Sequence, residues 1–336
     1  MNIYKDYINT IEEAIKADPS NRSLHESVTR GHQPFAKAFT YEDFNKRLPK
    51  DKLQPSLEVF SKEVGLQPDF NQKLGLHPDF AHLKYSDQLE KHYIVSMFVD
   101  VKGSTNLFKR YSPETVLIIT NTIQRAAIHT CLILGGYVHR LQGDGLLVYF
   151  GGKRLAIQQA VARSLQFGSM LTYFVENDLR KVFDLQGIER IYTRIGIDLG
   201  YDEAVVWALA GIGEISEVTT CSLHTSLACK MQGHAVKNGI VVGDNVVNEA
   251  LELRDLFTAV CHRTDDPSHR YIFQNPEKGF RYTQYDFAWL PFLKRQSFVA
   301  TDIYGNLQLK THTIPTAVKA VANLAPIASV NKPYSI

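Results

Sequence analysis

Two apolar runs in this chain are each interrupted by one aspartate beside a glycine, and they restrict the fold more than any compositional figure does. MFVDVKGSTNLF runs from Met97 to Phe108, and LQGDGLLVYF from Leu141 to Phe150. A strand interior is a costly place for a carboxylate, because burying an unpaired charge is strongly unfavourable. Asp100 and Asp144 therefore require compensation from their surroundings.

The elements around them follow a clear order. HYIVSMFVD reads as a strand ending at Asp100. After the GST turn, Val116, Ile119, Ile123 and Ala127 recur at helical spacing. Ser112-Pro113 supplies a helix start, and Gly135 with Gly136 supplies a stop. YVHRLQ and GLLVYF then form two strands joined by Gly143-Asp144-Gly145, a hairpin signal. A second long helical region spans about 155–183, with a break expected near Asn177. IYTRIGIDLG and EAVVWALA read as another strand pair, SLHTSLACKMQ as a helix and GIVVGD as a strand. The expected class is α+β, a ferredoxin-like arrangement of an antiparallel sheet with helices on one face.

Three segments emerge: a helical and turn-rich N-terminal extension over 1–90, a principal domain over 91–273 and a C-terminal extension over 274–336. The first is interrupted by Pro49, Pro55, Pro68 and Pro78, and GLQPDF at Gly65–Phe70 is echoed by GLHPDF at Gly75–Phe80. Two copies support paired turns rather than a solenoid. Packing on the main domain is expected, with dimerisation a further role. LFTAVCHRTDDPSHRYIFQ suggests two edge strands around a polar loop. Beyond it, Trp289, Phe292 and Phe298 suit a cover over the domain or a subunit interface.

Net charge narrows the ligands. With 37 Lys and Arg against 35 Asp and Glu, the chain has no general electrostatic reason to bind DNA, RNA or an acidic membrane. An anionic ligand must be held locally. MNIYKDYINTIEEAIKADPS lacks the apolar centre of a secretory signal, and no uninterrupted apolar stretch approaches the roughly 18 residues of a membrane span. Cys131, Cys221, Cys229 and Cys261 contain no CxxC pair. A cytoplasmic protein is expected.

In the expected fold, the strand ending at Asp100 lies beside the hairpin bearing Asp144. Two carboxylates so placed can share Mg²⁺ or Mn²⁺, with nucleotide phosphates supplying further oxygen ligands. The backbone amides of Val101, Lys102, Gly103, Ser104 and Thr105 follow immediately and can hold terminal phosphates. Taken singly, Asp100 also suits a strand end and Asp144 a structural hairpin; their shared context favours a metal–nucleotide site.

FVDVKGST and RLQGDGLLVYF together resemble the first and second metal-aspartate motifs of the class III nucleotidyl cyclases, and IYTRIGIDLGYDEAVVWALAG resembles that family's paired strands. The resemblance covers about residues 92–273. It implies a wreath-like homodimer in which Asp100, Asp144 and the carbonyl of Val101 bind two divalent ions, Mn²⁺ or Mg²⁺, per composite active site. It also implies that a nucleoside triphosphate closes to a 3′,5′-cyclic monophosphate with release of pyrophosphate. Arg194 matches an arginine that contacts terminal phosphate, and Lys230 stands where the family places a catalytic arginine supplied by the partner subunit. Ser226 stands at the position of the family's asparagine.

The base-reading positions depart from the purine pattern. Arg140 replaces a lysine that contacts adenine, and Thr219 falls near the position of an adenine-selecting aspartate. Tyr137 is a further candidate for a more filled pocket. His139 and His224 need no catalytic role. These departures resemble the bacterial pyrimidine nucleotide cyclases of Pycsar antiphage defence, which make cyclic UMP or cyclic CMP for a separate cyclic-nucleotide-responsive effector. The expectation is a uridylate cyclase acting on UTP, with a cytidylate cyclase acting on CTP as the alternative. A catalytically inactive nucleotide sensor is the rival from another class. A diguanylate-cyclase or polymerase-like palm enzyme is disfavoured, because the hairpin offers one acidic residue rather than a paired acidic signature.

Overall fold

The computed structural model describes residues 2–20, 39–65 and 67–310. Leu66, within the first of the two paired turns, and residues 311–336 of the expected C-terminal extension lie outside the described residues. Among the described residues, the α-helices α1 (Lys5–Ala17), α2 (Tyr41–Arg47) and α3 (Pro55–Val64) precede the main sheet. They are followed by α4 (Pro113–Ile133), α5 (Ile157–Tyr173), α6 (Arg180–Leu185) and α7 (Leu223–His234). The strands that position the site are β1 (Glu90–Lys91), β2 (Ile94–Lys102), β3 (Tyr137–Gln142), β4 (Gly145–Gly151), β5 (Tyr192–Gly200), β6 (Val205–Ile212), β7 (Ile215–Ser222) and β8 (Gly239–Gly243). β9 (Phe257–Ala259), β10 (Tyr271–Asn275) and β11 (Phe280–Phe287) follow.

The central sheet runs in the order β10-β11-β8-β5-β2-β4-β3, with β9 also paired to β11. β5 and β8 are parallel, while β2 is antiparallel to both β4 and β5. Strand alternation separates two environments. Val95, Met97, Val99 and Val101 of β2 join Ile195, Ile197 and Leu199 of β5 in the main apolar core, which also contains the buried faces of α4 and α5. Ser96, Phe98 and Asp100 take the other face of β2. Asp100 thus interrupts an apolar run without entering that core.

The opposite face carries α7, a departure from the expected arrangement with helices on one side. Its approach depends on Gly196: a Cβ there would lie 2.1 Å from the Ala228 carbonyl oxygen and 2.3 Å from the Gln232 nitrogen. Ser96 Oγ and Thr225 Oγ1, 2.8 Å apart, add a polar tie between β2 and α7. Asp198 is buried beneath the same helix, where its carboxylate bonds to His224 Nδ1 at 2.9 Å and accepts from the Tyr282 hydroxyl at 2.7 Å. Burial raises the Asp198 pKa despite these partners.

Several boundaries differ from the sequence reading. β5 and β6 are consecutive but not paired; β6 instead forms a second sheet with β1 and β7. The strand β7 was not anticipated, because ISEVTTCS mixes polar and apolar residues without clean alternation. The expected break near Asn177 is a π-helical segment at Phe174–Leu179. β11 hydrogen-bonds to β8 inside the central sheet, so the boundary set at 273 cuts through one structural unit. The sole described helix long and apolar enough for a membrane span is α4, which is largely buried within the fold.

Candidate active site

Asp100 and Asp144 are brought together by strand register. Val99 opposes Leu146, and β4 begins one residue earlier at Gly145. A Cβ at Gly145 would lie 2.4 Å from the Val99 carbonyl oxygen and 3.4 Å from Asp100 Cα. The glycine after Asp144 therefore permits the hairpin to press against the end of β2. Both aspartates are partly exposed.

Three donors converge on Asp100 Oδ2: Arg194 Nη2 at 3.0 Å, Gln232 Nε2 at 3.0 Å and Lys102 Nζ at 3.3 Å. This arrangement compensates one side of the carboxylate. Arg194 is fixed opposite Asp100 by the β2–β5 register, while its Nη1 donates weakly to the Gly233 carbonyl at 3.4 Å. Its buried Nε has no hydrogen-bond partner among the described residues. Gln232 was missed in the sequence reading; only the folding of α7 across β2 and β5 reveals it.

The loop after β2 turns at Gly103, whose φ of 92° favours glycine. Its carbonyl accepts from the Asn106 amide at 3.0 Å, and a short 3₁₀ helix follows at Ser104–Lys109. The long helix α4 begins where the Ser112-Pro113 signal places it, with Pro113 in its first turn and Ser112 as its N-cap. Ser104 Oγ donates to Asp144, tying the loop to the hairpin. Val101 is buried, whereas Lys102 and Thr105 are exposed.

Among the described residues, no group of three or more His, Cys, Asp or Glu side chains forms a ready metal site. Two carboxylates at adjoining strand ends nevertheless fit Mg²⁺ or Mn²⁺, which usually retain waters and bind substrate phosphates rather than a complete protein cage. Asp100 and Asp144 would hold such ions. The geometry suits a ligand that brings its own phosphate oxygens.

The other sequence-selected residues separate into distinct places. Tyr137 is buried, with its hydroxyl donating to the Lys73 carbonyl at 2.6 Å and accepting from the Leu76 amide at 2.5 Å. It packs against the Lys73–Leu76 turn. Arg140 Nε donates to Glu217 Oε2 at 2.7 Å across β3 and β7. Thr219, also on β7, bonds to His139 Nε2 at 3.1 Å. A register shift between Val138 and Arg140 marks a bulge around His139, a device that redirects side chains locally. Burial, with the Arg140 and His77 charges nearby, lowers the His139 pKa to about 3.

Ser226 and Lys230 occupy the exposed surface of α7. Ser226 Oγ donates to the Ser222 carbonyl at 3.2 Å. No hydrogen bond or ion pair connects either residue to Asp100 or Asp144 among the described residues. Glu217 was also missed at the sequence level, since its significance follows from the cross-strand pair with Arg140.

The chain is 36% identical over 245 residues to a cytidylate cyclase from Staphylococcus aureus, covering 72% of this chain and 55% of that protein. It is 33% identical over 229 residues to a cytidylate cyclase from Escherichia coli, covering 65% of this chain and 48% of the relative. The chain is thus related in sequence to proteins named cytidylate cyclase over 72% of its length. It spans about half the length of these curated relatives. No protein-family model matches it. The solved adenylyl cyclase CyaB from P. aeruginosa has a TM-score of 0.48 and 19% identity, covering 60% of this chain and 95% of that chain. For the guanylyl cyclase Cya2 the values are 0.46 and 20%, over 59% and 93% of the respective chains.

Proposed function

We propose that this chain is a pyrimidine nucleotide cyclase that converts CTP to 3′,5′-cyclic CMP and pyrophosphate. The observation carrying this reading is the placement of Asp100 and Asp144 at adjoining strand ends, with Ser104 joining the intervening loop to Asp144. The similarity to two cytidylate cyclases favours CTP over the UTP preference expected from sequence.

Divalent ions held by Asp100 and Asp144, with the carbonyl of Val101, would supply Lewis-acid activation and charge stabilisation. The Gly103–Lys109 backbone would orient the triphosphate, and Arg194 would exchange its contact with Asp100 for terminal phosphate. Gln232 and Lys102 would continue to restrain Asp100. The ribose 3′-oxygen forms the new bond to the α-phosphorus as the bond to pyrophosphate breaks, and its proton passes to solvent. Lys230 from a partner subunit would stabilise developing phosphoryl charge, with Ser226 beside it, in a homodimeric composite site.

Base choice fits Arg140, Glu217 and Thr219. Arg140 donates to the carbonyl or ring nitrogen of cytosine, and the Glu217 carboxylate accepts from its exocyclic amino group. Uracil presents a carbonyl where cytosine presents that amino group. A cytoplasmic, antiviral second-messenger role through a separate effector accompanies this reading. It is tested by incubating purified protein and Mn²⁺ with each of the four NTPs and identifying products by mass. Cyclic CMP as the principal product supports the proposal; cyclic UMP would restore the uridylate reading, and a purine product would reject pyrimidine selection.

A further inference from the structure

The N-terminal segment has no metal or phosphate motif, yet polar ties fasten it along α4. Near one end, the Tyr4 hydroxyl and Thr130 Oγ1 are 3.0 Å apart, and the Tyr7 hydroxyl lies 2.5 Å from His129 Nδ1. At the other end, Asp18 Oδ2 accepts from the Ser112 amide at 3.1 Å and from its hydroxyl at 2.8 Å. Asp18 Oδ1 accepts from the Ser20 amide at 2.8 Å and from the Ser20 hydroxyl. Asp18 is only 1% exposed, so its hydrogen bonds are not interchangeable with ordinary surface hydration.

Ser112 is also the N-cap of α4, accepting from the Thr115 amide at 3.3 Å. From there a hydrogen-bonded path leads back to the candidate phosphate loop. The Tyr111 and Arg110 amides donate to the Leu107 carbonyl at 2.9 and 3.0 Å, and the Asn106 amide donates to the Gly103 carbonyl at 3.0 Å. Ser104 completes the path through its bond to Asp144. Apolar packing of α1 alone does not require a buried carboxylate at this junction.

We propose that the N-terminal segment is a strap that sets the geometry of the Gly103–Arg110 loop, with Asp18 as its positioning residue. The consequence for nucleotide binding rests on the function proposed above; the mechanical connection does not. Asp18 acts through Ser112 and does not touch the reacting atoms. Losing its contacts releases the front of α4 and lets the loop sample geometries unsuited to a triphosphate.

The test compares Asp18→Ala, Asp18→Asn and Tyr4→Phe variants of this chain by hydrogen exchange, thermal melting and CTP kinetics. Asp18→Ala is expected to accelerate exchange at the Asn106, Arg110 and Tyr111 amides about tenfold and raise KM for CTP by a similar factor, the scale of losing a charged hydrogen bond. Asp18→Asn retains an acceptor and falls between Asp18→Ala and wild type, preserving a readout if the alanine variant does not fold. Tyr4→Phe loosens the opposite end of the strap and lowers the melting temperature without accelerating those loop amides. Unchanged loop exchange in the Asp18 variants, or equal acceleration in Tyr4→Phe, overturns the strap. A wild-type protein that makes no cyclic product contradicts the proposed function, while the exchange comparison still decides the mechanical claim.

Discussion

Arg194 Nη2 lies 3.0 Å from Asp100 Oδ2, with the two residues directly opposed across β5 and β2. This contact neutralises Asp100 and places the guanidinium within the proposed triphosphate site. Arg194→Ala is expected to lower kcat/KM by on the order of 100-fold, the consequence of losing a strong charged contact. Arg194→Lys should recover only part of that loss, because an ammonium lacks the planar fork of guanidinium. Steady-state kinetics on folded variants check the assignment; wild-type kinetics for Arg194→Ala contradict it.

The pair between Arg140 and Glu217 predicts a specificity change. Glu217→Gln replaces an acceptor-only group with one that also donates, making a uracil carbonyl more acceptable. The ratio of kcat/KM for CTP over UTP should fall about tenfold, within the range available to hydrogen-bond discrimination. Competition with equal CTP and UTP, followed by product quantification, reads this ratio. An unchanged ratio removes Glu217 from base selection.

Buried histidines predict an acid-sensitive fold. Burial is the largest cause lowering His77 and His129 to about 4 and His139 to about 3, from an ordinary value of 6.5. The unfolded chain therefore binds protons before the folded chain does. Their contribution to stability is present above about pH 6.5 and is lost as pH falls toward 4, on the order of 3 kcal/mol for each histidine at most. Urea unfolding from pH 4 to 8 should show that slope, and His129→Gln should reduce proton uptake on unfolding by about one. An unchanged slope in that variant rejects His129 as a contributor.

The proposed composite site predicts intersubunit complementation. Asp100→Ala and Lys230→Ala should each be inactive as homodimers, whereas a verified heterodimer contains one site with both native residues. Mixing after controlled dissociation should restore up to about half the activity per heterodimer, provided the two sites act independently. No recovery despite heterodimer formation contradicts the role of Lys230 in trans.

Much of this architecture was legible because local chemistry and burial agreed. The Ser112-Pro113 start and Gly135 stop bracket α4, while Asp100 and Asp144 stand out against apolar strands. β7 was obscured by its polar residues, and β11 by aromatic residues that do not alternate cleanly. Glu217 and Gln232 were harder still to identify, because their partners lie far away in sequence. Only the side-chain contacts of β7 with β3 and the crossing of α7 over β2 give those residues their chemical setting. The partners of Tyr137 were equally out of reach of the sequence: its hydroxyl is held by Lys73 and Leu76, more than sixty residues upstream.

The most direct test measures cyclic CMP formed from CTP and Mn²⁺ by wild-type protein and by folded Asp144→Ala protein. Asp144 is held beside the loop after β2 through Ser104, so its carboxylate occupies the proposed metal–triphosphate junction. Wild-type protein should produce cyclic CMP and pyrophosphate in equal amounts, and Asp144→Ala should lose at least about 1,000-fold in turnover, on the scale expected for removing a catalytic metal ligand. Near-wild-type production by a verified, folded Asp144→Ala protein would contradict the two-aspartate account.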